Sequence, residues 1–229
     1  MWGRRIWSLW GLGREGSDVL TYLFDASAAV ELYSPRDERT GRIAHYILEQ
    51  KTIYQDASLF IPNFCIAEVF NTLGKKRFAP SKPSQAINED SYKDCLGRFR
   101  THVHWGKTIY PYELNRYHII AADQIIPTEH HHYRKVEWDR LSTFDILIIS
   151  MSCELASIGD RTKTYLVTCD ERLAAVFNDL KTQGVRDDVV PGPLGELDGR
   201  RWIPPECIYL PEANRRQIPK GSRQPMLNI

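Results

Sequence analysis

Four carboxylates stand where carboxylates are unusual. Asp25 closes the apolar, aromatic run Tyr22-Leu23-Phe24, and Asp170 closes Tyr165-Leu166-Val167-Thr168-Cys169. Glu68 sits among Phe64, Ala67, Val69, Phe70 and Leu73, while Asp145 leads Ile146, Leu147, Ile148 and Ile149. A charge within an apolar helix face is costly unless it is paired or bound to a metal. Four acids drawn together with no Lys or Arg between them would repel one another, and a divalent cation is the natural counter-charge. Carboxylates with water suit Mg²⁺ or Mn²⁺ better than zinc. Ser27 and Thr168 neighbour the acids and would orient a carboxylate or a bound water, or equally close a cap or turn hydrogen bond. Asn71, three residues after Glu68, shares its helix face and would support Glu68, touch substrate or simply face solvent. Asp25 alone would serve equally as a helix cap.

The elements that must carry these acids alternate. Residues 19–24, 58–61, 108–111, 165–168 and 207–210 read as strands. Residues 26–33, 38–50, 63–78, 84–104, 113–126, 145–157 and 171–182 read as helices, by apolar positions recurring at helical spacing. Ile43, Ile47 and Leu48 form the inner face of one. Ile119, Ile120, Ala122 and Ile125 are the apolar positions of another, and Leu173, Val176, Phe177 and Leu180 of the last. Residues 127–138 read as a polar segment, and 185–201 as loop. This alternation predicts an α/β fold with a parallel central sheet and helices on both faces. Asp25 and Asp170 then fall at the same edge, beyond the carboxyl ends of their strands, where open α/β sheets bind ligands.

The 229 residues carry a formal net charge of +1, so no overall electrostatic attraction to nucleic acid follows, although local basic patches remain open. The five cysteines are odd in number and show no Cys-x-x-Cys spacing, which argues against a zinc ribbon or a disulfide framework. They indicate a reducing, cytoplasmic setting. In residues 1–18, Arg4 and Arg5 precede a short apolar run broken by Gly11 and Gly13, without a cleavage-site pattern. This stretch reads as a peripheral extension or as the product of a start assigned too far upstream. No segment reaches the length of a membrane span. The expected organisation is an extension over 1–18, one domain over 19–212 with an enlarged or inserted region at 80–138, and a basic, flexible tail over 213–229.

Four stretches together resemble the PIN-domain nucleases, including the VapC-type toxins. Phe24-Asp25-Ala26-Ser27 resembles the family's strand-ending Asp-x-Ser. Ile66-Ala67-Glu68-Val69-Phe70-Asn71 resembles its acidic helix. Leu141-Ser142-Thr143-Phe144-Asp145-Ile146 resembles its buried helix led by an Asp, and Leu166-Val167-Thr168-Cys169-Asp170 its Thr-x-Asp strand end. The match runs over roughly residues 20–180. The long interval between Glu68 and Asp145 departs from the compact members of the family. The resemblance implies a metal-dependent endoribonuclease in which Asp25, Glu68, Asp145 and Asp170 hold one or two Mg²⁺ or Mn²⁺ ions. It also implies an RNA substrate, a homodimer and, for a toxin, a small antitoxin protein as partner.

Two other classes compete. A PIN-like module without turnover would bind RNA or protein through the same surface. An aspartate-nucleophile phosphatase would need a second Asp beside the first, and Asp25-Ala26-Ser27 lacks it. His130-His131-His132 reads as a solvated loop, because adjacent loop residues rarely aim at one ion. Lys75-Lys76-Arg77 reads either as a favourable cationic helix end or as a phosphate contact.

Overall fold

The computed structural model describes residues 19–104, 108–133, 140–158, 161–183 and 204–220. Strands form on the short apolar runs: β1 (Leu20–Phe24), β2 (Ala57–Pro62), β3 (Ile109–Tyr112), β4 (Thr164–Thr168) and β5 (Glu206–Tyr209). All pair in parallel, in the order β3-β2-β1-β4-β5. β1 sits at the centre, with Leu20 opposite Ala57 on one side and Thr21 opposite Thr164 on the other. Every residue of β1 and β2 is buried, as expected of strands covered on both faces.

The helices are α1 (Ala26–Glu31), α2 (Glu38–Thr52), α3 (Asn63–Phe78), α4 (Glu89–His104), α5 (Arg116–Tyr133), α6 (Thr143–Ile158) and α7 (Glu171–Gln183). They pack as two groups. α1 meets α2 and α3, and α3 meets α4; α5 meets α6 and α7. The chain builds outward from β1 to β3, then returns to the other side of β1 for β4 and β5. With right-handed crossovers, this reversal puts one group of helices on each face. It also makes the carboxyl ends of β1 and β4 the topological switch point, where sheets of this order generally place a ligand crevice. Tyr22, Leu23, Phe24, Ile61 and Phe177 are fully buried around that centre, each contributing about 1.5–3 kcal/mol by leaving water. Ile146 to Ala156 of α6 is buried on every side, which explains why its sequence has no polar stripe.

Several elements depart from the sequence reading. α5 does not stop before residue 127 but continues through Pro127 to Tyr133. Proline removes one helical hydrogen bond, yet tertiary anchors lie on both sides of it. Ile125 is fully buried, and the buried Glu129 carboxylate accepts the Leu141 N–H at 3.3 Å. The inner positions of this helix are Ala121 and Ile125, whereas Ile119 and Ile120 are exposed. Ala67 of α3 is likewise exposed. α4 begins at Glu89 rather than residue 84. Residues 210–220 are not a loose tail: Leu210, Ala213 and Ile218 are buried, and Arg39 Nη2 donates to the carbonyls of Glu212 and Ala213 at 3.1 Å. His130 belongs to the end of α5 and lies 3.2 Å from Arg140 Nη1. The 1–18 extension, the 185–201 loop and residues 221–229 lie outside the described residues. No helix among the described residues is long and apolar enough to cross a membrane.

Candidate active site

Asp25 follows β1 directly and caps α1, so its carboxyl is fixed by both elements. It is 4% exposed. Its carboxylate accepts the Ala28 N–H at 2.7 Å, the Ser27 hydroxyl at 2.8 Å and the Thr168 hydroxyl at 2.6 Å. Burial pushes its pKa up to about 6, and the nearby Asp145 charge adds to that, while the three donors pull the other way. Both the capping role and the placement at the sheet edge are therefore present in one residue. Three donors set against roughly four lone-pair sites leave about one acceptor position open.

Ser27 and Thr168 tie the two central strands together at this edge. Ser27 Oγ accepts the Cys169 N–H at 2.9 Å while donating to Asp25. Thr168, fully buried, accepts the Asp170 N–H at 2.9 Å through the same oxygen that donates to Asp25. Each hydroxyl thus spans from the β1 carboxylate to the backbone after β4.

Glu68 and Asp145 reach this edge from α3 and from the start of α6. Burial raises the Glu68 pKa above its ordinary value, and the Asp145 charge raises it further. The buried Cys65 thiol lies one turn earlier on α3, near enough to feel the charges of both Glu68 and Asp25. Asp145 is held by Ser142: its Oδ2 accepts the Ser142 N–H at 2.9 Å and hydroxyl at 2.8 Å, and Ser142 Oγ accepts the Asp145 N–H at 3.2 Å. This reciprocal pair is a capping box. Asp25, Glu68 and Asp145 therefore share one electrostatic neighbourhood.

Asp170 is held differently. Its carboxylate accepts the Arg172 N–H at 2.8 Å and pairs with the Arg172 guanidinium at 2.9 Å. Those bonds hold its pKa below the ordinary carboxylate value, against the opposing effect of burial. Asn71 is exposed on α3. Of the basic run at the end of α3, Lys76 bonds Ser34, and Arg77 lies 3.8 Å from Glu89 and over the Phe78 ring.

Among the described residues, no group of three or more His, Cys, Asp or Glu side chains is arranged to hold a metal ion. The four acids do not make a closed coordination shell. The donor set still suits a hard cation, because Mg²⁺ is commonly held by one or two carboxylates with water and substrate oxygens completing its shell. The open acceptor position on Asp25 and the repulsion that Asp145 exerts on both Asp25 and Glu68 fit that smaller demand.

Sequence reasoning missed three features. One is the Arg172 clamp on Asp170, legible in Asp170-Glu171-Arg172 once α7 is known to start there. Another is Cys65 beside Glu68, which helical spacing alone would have suggested. The third is a buried polar cluster away from the edge. Glu154 Oε2 accepts the Tyr112 hydroxyl at 2.7 Å and the Asn115 amide at 3.3 Å, and bonds His118 Nε2. His118 Nδ1 accepts the Asn115 N–H at 3.0 Å, so the proton sits on Nε2 and points to Glu154. Nothing local in the sequence pairs residues so far apart. The chain matches no family model and no curated protein sequence.

Proposed function

We propose that this chain is a metal-dependent endoribonuclease working at the β1–β4 edge. The observation that supports it best is the buried Asp25 carboxylate at the topological reversal of the sheet, with Asp145 close enough to raise the charge cost of both Asp25 and Glu68. A bound Mg²⁺ or Mn²⁺ would supply positive charge for the phosphate oxygens and a nucleophile drawn from water. The chain's own residues supply placement. Ser27, Thr168 and the Ala28 N–H fix Asp25, and Ser142 fixes Asp145. Such fixed anionic groups need no reorganisation when substrate arrives. The crevice between β1 and β4 receives the phosphodiester. RNA is the substrate class that the family resemblance favours, and a toxin role with a small inhibitory protein partner belongs to the same reading.

The other reading, a silent RNA- or protein-binding module, is favoured by one feature: Asp170 is already neutralised by Arg172. Cleavage of single-stranded RNA in Mg²⁺, Mn²⁺ or EDTA, with wild type beside Asp25→Asn, separates the two. The nuclease reading expects cleavage only with metal and a loss of at least about a hundredfold in the variant. Intact RNA in both metals would favour the silent module.

A further inference from the structure

Phe144, immediately before Asp145, is 49% exposed. Its ring lies against that of Phe64, with centroids 5.1 Å apart and planes inclined by 33°. Phe64 precedes Glu68 by four residues on α3, so the two share a helix face. The aromatic pair therefore bridges the starts of α3 and α6, the two helices that bring Glu68 and Asp145 to the sheet edge. Exposed apolar side chains are common, and it is the position of this one that sets it apart. Here the open ring is bonded in sequence to one acid of the site and packed on a ring one turn from another.

Resting on the nuclease reading, we propose that Phe144, backed by Phe64, is a stacking platform for an unpaired base of the RNA next to the phosphate held at the acids. Stacking needs a flat π surface and a supporting layer, and it tolerates any base because every base has a π face. A base within a duplex is already stacked and cannot take this place. The platform therefore selects for single-stranded segments without reading their sequence. The acids handle the backbone, and the ring fixes the register of the nucleotide beside it.

The test measures binding of fluorescein-labelled single-stranded RNA by anisotropy in EDTA, and cleavage of the same RNA in Mn²⁺. It compares wild type with Phe144→Trp, Phe144→Leu and Phe144→Ala. Leucine keeps an apolar contact with Phe64 and removes only the π face. The platform predicts that Trp retains affinity, while Leu and Ala both lose about fivefold to a hundredfold. It also predicts that one abasic position in the RNA reproduces that loss in wild type and has no further effect in Phe144→Leu. Equal affinities for wild type and Phe144→Leu, or equal binding of a blunt duplex, would overturn it. Cleavage that persists with unchanged Leu affinity overturns the platform and leaves the nuclease standing. Aromatic-dependent binding without cleavage does the reverse, and no binding of any RNA together with no cleavage in Mn²⁺ overturns both.

Discussion

Two aspartates follow two adjacent parallel strands, yet the chain treats them in opposite ways. Asp25 is buried with neutral donors, and no cation among the described residues pairs with it. Asp170 meets a guanidinium and the first amides of α7. A carboxylate already bonded to Arg has little left to offer a cation. The acids should therefore rank unequally. Asp25→Asn is expected to remove metal-dependent cleavage, while Asp170→Asn lowers it by a smaller factor. Arg172→Ala frees the Asp170 carboxylate and is expected to tighten Mn²⁺ binding, by about threefold to tenfold for roughly 1 kcal/mol of relieved competition. Titration of Mn²⁺ into each variant measures this. Weaker binding in Arg172→Ala would show that the clamp positions Asp170 for the metal instead of competing for it.

Among the elements, one polar cluster joins three of them. Tyr112 ends the edge strand β3, Asn115 and His118 open α5, and Glu154 lies inside α6. His118 is fully buried and Glu154 is 6% exposed. Removing the shared acceptor would take one hydrogen bond from each of two buried donors, Tyr112 and His118, and from the half-buried Asn115 amide. Glu154→Ala is expected to cost on the order of 3 kcal/mol or more, with Glu154→Gln losing less, as read by urea unfolding. A loss below about 0.5 kcal/mol for Ala would mean that water or a neighbour replaces the carboxylate. The cluster also marks where sequence reading stops. Apolar runs announced every strand, and the helix over 63–78 was legible to its ends, because local spacing encodes those features. The convergence of Tyr112, His118 and Glu154 depends on how α5 lies on α6, which no local pattern records. The same limit explains Ile119 and Ile120, apolar in spacing yet exposed, and residues 210–220, polar in composition yet docked on the body. At the site, Asp25 and Thr168 were legible because each sits at a strand end, and Ser27 because it opens the helix that Asp25 caps. The Ser142–Asp145 box was written in the sequence, and its electrostatic reach to Glu68 was not.

The whole molecule carries opposed titrations, and their balance shapes its stability against pH. The pKa of Glu154 is held below its ordinary value by His118, Tyr112 and Asn115, and that of Asp170 by Arg172. An acid depressed by folding stabilises above its unfolded pKa, and that contribution is lost as pH falls through the folded value. Asp25 works the other way. Burial raises it to about 6, so its contribution is present at low pH and is lost as pH climbs from about 4 to 6. A shift of about two units corresponds to roughly 3 kcal/mol. Glu68, also raised, adds in the same direction. Without metal, thermal stability is therefore expected to peak near pH 4 and to fall toward neutrality. Asp25→Asn should abolish most of that fall and be the more stable protein at pH 7, on the order of 2–3 kcal/mol in EDTA. Added Mn²⁺ should raise the wild-type Tm at pH 7, because binding to the folded state alone stabilises it, and should leave Asp25→Asn nearly unmoved. Calorimetry from pH 3 to 8 reads both limbs. A wild type that gains stability steadily up to pH 7 in EDTA, with Asp25→Asn less stable than it, would show that Asp25 is a structural cap whose charge the fold already balances. The opposite result means that the molecule gives up stability at its sheet edge to keep a carboxylate there, a cost that a folded protein bears for a bound partner rather than for its own cohesion.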